Sequence, residues 1–248
     1  MFIISTEKTY ATSWDEESQR FEALELYSKL TKYLELHSSN GKILEFGCGS
    51  GLATRHLAEN HEVLSLDNNV PLLEKARINL ECYSDKVQIH ECDFFDLTEK
   101  DMQIIQEFAP DVVIGWNIGT SGEGQKKRAS KELSMLNKSK DYREKVEDII
   151  MKISCVLESV KIVNFVHRGH LEAGFAIQDA EKADLENYDK YVFDINDNSK
   201  FKGISAKLIE WNSSDSKIGY VSHKYNKNGT PILSSVIAER KKNQVNTA

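Results

Sequence analysis

The stretch Ile43-Leu44-Glu45-Phe46-Gly47-Cys48-Gly49-Ser50-Gly51-Leu52 runs from an apolar strand into three glycines at alternate positions and then into a helix. Glycine lets the backbone approach a ligand that side chains would exclude. The helix start beyond it offers free N–H groups and the positive end of a dipole to a carboxylate or phosphate. A dinucleotide fingerprint, G-x-G-x-x-G/A, would put its last small residue at position 52, which is Leu52. The spacing here is G-x-G-x-G, with Glu45 two residues ahead of the first glycine.

Outward from this turn the chain alternates. A short helix over 50–59 is followed by a strand over 61–66, a helix over 71–82, a strand over 87–91, a helix over 99–108 and a strand over 111–116. That rhythm predicts βαβ units with right-handed crossovers, and so a doubly wound α/β fold whose mostly parallel sheet carries helices on both faces. Before the turn, Phe21, Leu24, Leu30, Tyr33 and Leu34 recur at helical spacing, which predicts one amphipathic helix from Trp14 to about His37. After it, 119–140 turns polar around Lys126, Lys127 and Arg128 and reads as a helical or mobile insertion. A helix over 141–158 then leads into a strand over 161–166. Near the end, 217–225 and 231–239 flank the turn 226–229 and predict an antiparallel hairpin at the sheet's edge.

The glycine turn with its preceding acid resembles the first motif of the class I (Rossmann-like) S-adenosylmethionine-dependent methyltransferases. The resemblance implies a seven-stranded sheet and S-adenosylmethionine as cofactor, with Gly47, Cys48, Gly49 and Gly51 around its amino-acid end and Glu45 supporting the loop. It implies that Asp67, which ends the second strand, holds the ribose hydroxyls, with Asn68 beside it. Asp93 is then assigned to the adenine amine and Phe94 to the adenine ring. Asn117 closes the fourth strand, where it either touches cofactor or acceptor or caps backbone groups. The following residues, Ile118-Gly119-Thr120, depart from the N/D-P-P-Y/F motif of amine methyltransferases, so the acceptor is left open.

In this reading the whole of 1–248 is one methyltransferase domain: an N-terminal helical cap over 1–40, a cofactor-binding core over 41–168 with the insertion or lid at 119–140, and a C-terminal part over 169–248. His167, expected at the end of the fifth strand and facing the same crevice, is the candidate general base, with His170 nearby and His223 a poorer choice. Tyr10 and Trp14 either close over the site or simply pack on the domain. No His or carboxylate set has metal-ligand spacing, so no metal is expected.

The formal net charge of -7 disfavours a polynucleotide partner, because non-specific nucleic-acid affinity comes mainly from Lys and Arg. A small-molecule acceptor is therefore expected. Methylation of protein or RNA through the basic cluster, or a non-catalytic S-adenosylmethionine-binding subunit, stands as the alternative. Cys48, Cys82, Cys92 and Cys155 form no CxxC pair, and no apolar run approaches the roughly 20 residues that span a bilayer, so a cytoplasmic protein without membrane association is expected.

Overall fold

The structure is a computed structural model that describes residues 6–38, 41–193, 200–212, 216 and 229–242. Its helices are α1 (Glu7–Ala23), α2 (Leu26–Glu35), α3 (Leu52–Ala58), α4 (Val70–Asn79), α5 (Glu99–Phe108), α6 (Gly122–Arg128), α7 (Met135–Val156) and α8 (Ile177–Tyr188). Its strands are β1 (Lys42–Phe46), β2 (Glu62–Asp67), β3 (Val87–Glu91), β4 (Val112–Trp116), β5 (Ile162–Leu171), β6 (Phe201–Glu210) and β7 (Thr230–Arg240).

These strands make one seven-stranded sheet in the order β3-β2-β1-β4-β5-β7-β6. The first five run parallel, and β7 lies antiparallel between β5 and β6. The chain order reverses direction at β1, beside β4, which is where open α/β sheets place their ligand crevice.

Alternation along the strands sorts the core into two layers. Ile43, Val63, Val112, Ile114 and Val166 pack with Phe21, Leu30 and Leu57 of α1, α2 and α3. On the opposite face Leu44, Phe46, Val113, Val163 and Phe165 pack with Ile105, Val146 and Ile150 of α5 and α7.

Four departures from the sequence reading have physical causes. The N-terminal helix is broken, because Glu25 adopts a left-handed conformation with φ of 56° between α1 and α2. The polar segment 119–140 contains α6 and the start of α7, which begins at Met135 behind a Ser134 side-chain cap rather than at 141. The fifth strand runs five residues beyond 166, because β7 pairs with it as far as Leu171↔Thr230. The partner of β7 in the C-terminal pair is β6, whose burial barely alternates and whose register shifts between Gly203 and Ser205. The expected strand over 217–225 and the residues 226–228 of its turn lie outside the described residues.

Candidate functional site

At the carboxyl ends of β1, β2 and β4 the glycine turn is held left-handed, with φ of 84° at Gly47 and 54° at Gly49. A side chain at Gly47 would meet nothing within 4 Å, so this backbone faces open space. At Gly49 a Cβ would lie 2.6 Å from Nε1 of Trp14, so the absence of a side chain lets α1 close on the loop. Gly51 serves packing instead, since a Cβ there would crowd Leu80 and the backbone of Ala76. The Cys48 side chain is buried beneath the turn, and burial pushes its thiol well above the usual range.

Glu45 is buried below this loop and does not line the cavity above it. Its Oε2 accepts hydrogen bonds from Thr54 Oγ1 at 2.7 Å and Ser65 Oγ at 2.5 Å, tying α3 and β2 to β1. Burial raises its carboxyl to about 7 against the lowering effect of both hydroxyls. Asp67 ends β2 with its carboxylate anchored by backbone amides. Gly49 N–H donates to Oδ2 at 2.9 Å, while Asn68 and Asn69 N–H donate to Oδ1 at 2.7 and 2.9 Å. Burial raises its carboxyl above the ordinary range, and the three amides oppose that shift. Oδ2 keeps one lone pair free for a further donor.

The loop and Asp67 line one cavity. Gly47, Gly49, Asp67 and Asn68 form one wall, Phe94 and Asn117 another, and Tyr10 and Trp14 of α1 the roof. Asn117 is 7 % exposed and left-handed, with φ of 52°. Neither its Oδ1 nor its Nδ2 has a hydrogen-bond partner among the described residues. A buried amide without partners is costly, and strain combined with an unmet donor and acceptor marks a position shaped for a ligand.

Phe94 lines the cavity, with its ring set edge-to-face on Phe46 at 5.3 Å. Asp93 does not line it: Oδ1 accepts from Phe95 N–H at 3.1 Å, and Oδ2 pairs with Arg128, which also pairs with Asp96. The Arg128 guanidinium sits 5.0 Å over the Phe95 ring. The basic cluster is thus partly an internal clamp between α6 and the turn after β3.

His167 lies elsewhere, and the expectation for it is corrected. It sits within β5 rather than at its end, and it lines a second cavity between that strand and α8. Its Nδ1 is 3.1 Å from Tyr188 Oη and its Nε2 is 3.5 Å from Asp184 Oδ2, and burial pushes its pKa down to about 4. His170 lines the same second cavity, and His223 lies outside the described residues. Among the described residues no three His, Cys, Asp or Glu side chains are placed to hold a metal ion, and no helix is long and apolar enough to cross a membrane.

The sequence reading did not assign Glu7, Asn69, Leu72, Thr120 or Tyr142 to the site, and all five also line the first cavity. Burial pushes the Tyr142 phenol up to about 12, against a hydrogen bond with Thr120. Tyr142 falls where α7 was expected to begin, and only the fold of 119–140 brings it to the glycine turn.

Residues 43–116 match the family described as a methyltransferase domain. The N-methyltransferase NodS from Bradyrhizobium japonicum, solved with S-adenosylhomocysteine, is 10 % identical over 88 % of this chain and 87 % of its own, with a TM-score of 0.50. Magnesium protoporphyrin IX methyltransferase from Synechocystis, also with S-adenosylhomocysteine bound, is 10 % identical over 91 % and 86 %, with a TM-score of 0.51. At such identity the likeness is one of fold. No curated protein sequence matches the chain.

Proposed function

Taking the chain as a class I S-adenosylmethionine-dependent methyltransferase, to which its family match and sheet topology assign it, we propose that it methylates a small-molecule acceptor bound under α1. The observation that carries this reading is the cavity in which the anchored Asp67 carboxylate and the unpartnered Asn117 amide face a roof of Tyr10 and Trp14. Such a roof suits a small acceptor better than a polymer. Of Lys126, Lys127 and Arg128, the expected anchor for an acidic macromolecule, Arg128 is already paired with two carboxylates.

S-adenosylmethionine supplies a methyl group already activated on a sulfonium, so the protein's task is alignment and exclusion of water. In this reading the side-chain-free backbone of Gly47 and Gly49 admits the amino-acid end. The free lone pair of Asp67 Oδ2 accepts from a ribose hydroxyl. Phe94 gives the adenine an apolar wall, and Asp93, held by Arg128, stands outside the cavity and orders the turn that carries Phe94. Asn117 offers one donor and one acceptor where donor and acceptor molecules meet, and Tyr10 and Trp14 keep water out. Among the described residues no imidazole lines this cavity, which favours an acceptor that attacks with a lone pair it already carries. The four free cysteines are in keeping with a reducing compartment such as the cytoplasm.

The test is a thermal shift with S-adenosylmethionine, S-adenosylhomocysteine, NAD and ATP in parallel, followed by labelled-methyl transfer into a cell extract separated by size. Stabilisation by the first two alone, with label in the small-molecule fraction, is the expected result. Label in RNA or protein would move the acceptor to a macromolecule. Binding without any transfer would make the chain a cofactor-binding subunit.

A further inference from the structure

The second cavity, of about 560 Å³, opens between α8 and the strands β5, β6 and β7 and shares no lining residue with the first. Leu171, Leu208 and Ile232 form an apolar floor, with Ala180 packed against it. Phe175 stands in its wall, 55 % exposed. The charged residues of the lining are Asp184 and Glu172, and neither Lys nor Arg is among them.

Asp184 is fixed from one side only. Its Oδ2 accepts a hydrogen bond from the buried Ser234 hydroxyl and faces His167 Nε2 at 3.5 Å. Oδ1 takes no hydrogen bond from any described residue. His167 is itself oriented by Tyr188, which stacks on it at 5.3 Å between ring centroids and donates to Glu147. Burial pushes the His167 pKa down while Asp184 opposes that shift, and no Lys or Arg among the described residues is paired with Asp184.

We propose that this cavity is a separate binding site for a small organic ammonium ion, with Asp184 as its counter-ion. An ammonium with an apolar body would place its nitrogen at Asp184 Oδ1, its body on the leucine and isoleucine floor, and its edge against the Phe175 ring. An anionic ligand would meet two carboxylates and no cation. A neutral apolar one would leave Asp184 without a partner.

The experiment titrates the full chain, saturated with S-adenosylhomocysteine, with phenethylamine and with phenethyl alcohol, which share a body and differ in charge. The amine should bind at least about tenfold more tightly than the alcohol, as expected for a charge-assisted contact. Asp184→Asn should remove that preference while leaving S-adenosylhomocysteine affinity unchanged, and Glu172→Gln should reduce it less. Equal affinity for amine and alcohol, absence of binding by either, an unaltered preference in Asp184→Asn, or displacement of the amine by S-adenosylhomocysteine would each overturn the proposal. Should Asp184→Asn fail to fold, the wild-type contrast and the exposed Glu172→Gln variant still decide. Failure of S-adenosylhomocysteine to bind would count against the methyltransferase reading and not against this site.

Discussion

Asp67→Asn separates the anchoring role that the structure gives to this carboxylate from the ribose-binding role proposed for it. Its Oδ1 holds the amides of Asn68 and Asn69, and Oδ2 holds that of Gly49. An asparagine keeps an oxygen for the first pair but turns an NH2 group towards Gly49 N–H, donor against donor. Losing a hydrogen bond to a charged group and stranding a buried amide costs about 2–3 kcal/mol. Removing a charge that burial disfavours returns part of that, so a net loss of about 1–2 kcal/mol is expected, or about 2–8 °C in Tm for a chain of this size. On the proposed ribose contact, cofactor affinity should fall by at least about 1.5 kcal/mol or roughly tenfold, because the hydroxyl would lose a charged acceptor. Asp67→Ala should show at least the same loss of affinity but strands all three amides, so Asn is the cleaner probe. Urea denaturation of the ligand-free protein and calorimetric titration with S-adenosylhomocysteine read the two effects apart. Unchanged stability would refute the anchoring of the glycine loop by Asp67, and unchanged affinity would remove Asp67 from the site.

Glu45 titrates near 7 in the fold and near 4.3 in an unfolded chain. The folded protein therefore keeps a proton that the unfolded chain releases, so this group's stabilising share is full below about pH 4.3 and is lost as pH rises to about 7. Glu45→Gln, whose oxygen can still accept from Thr54 and Ser65, should flatten that dependence and raise stability at pH 8 by up to about 3 kcal/mol. Identical pH profiles of the two proteins in urea melts would refute it. Gly49→Ala should destabilise by at least about 1–2 kcal/mol, from the left-handed backbone alone, and should displace Trp14, read as a change in tryptophan fluorescence. A variant with wild-type fluorescence and Tm would show that α1 does not rest on this loop. His167→Gln should leave S-adenosylhomocysteine affinity within about twofold of wild type, a difference far below one hydrogen bond. A tenfold loss would return His167 to the first cavity.

What the sequence revealed was local. An apolar strand, a glycine turn and a helix start are contiguous, so the glycine loop and the carboxylate at the end of the next strand were readable from spacing. What it concealed depends on partners far along the chain. Arg128 comes from α6 to hold Asp93, and nothing near Asp93 in the sequence announces that pairing. The α1–α2 break rests on one residue, Glu25, in a left-handed conformation that its type does not signal. The edge strand β6 shows little alternation because a register shift interrupts it and much of its length is only partly buried. Tyr142 enters the cavity because α7 starts early, behind a serine cap inside a polar stretch.

The misplacement of His167 follows from strand parity. Val166 packs on the α1 face of the sheet with Trp116 and Ile114, and its pairing with Trp116 fixes the register of β5 against β4. Side chains alternate along a strand, so residue 167 must face α7 and α8, and residue 168 returns to the α1 side. The structure follows that count: His167 stacks on Tyr188, while the Arg168 guanidinium lies 5.3 Å from the ring centroid of Trp14 in the roof of the first cavity. Proximity to the strand's carboxyl end suggested the histidine, but the two-residue period decides which face of the sheet residue 167 reaches.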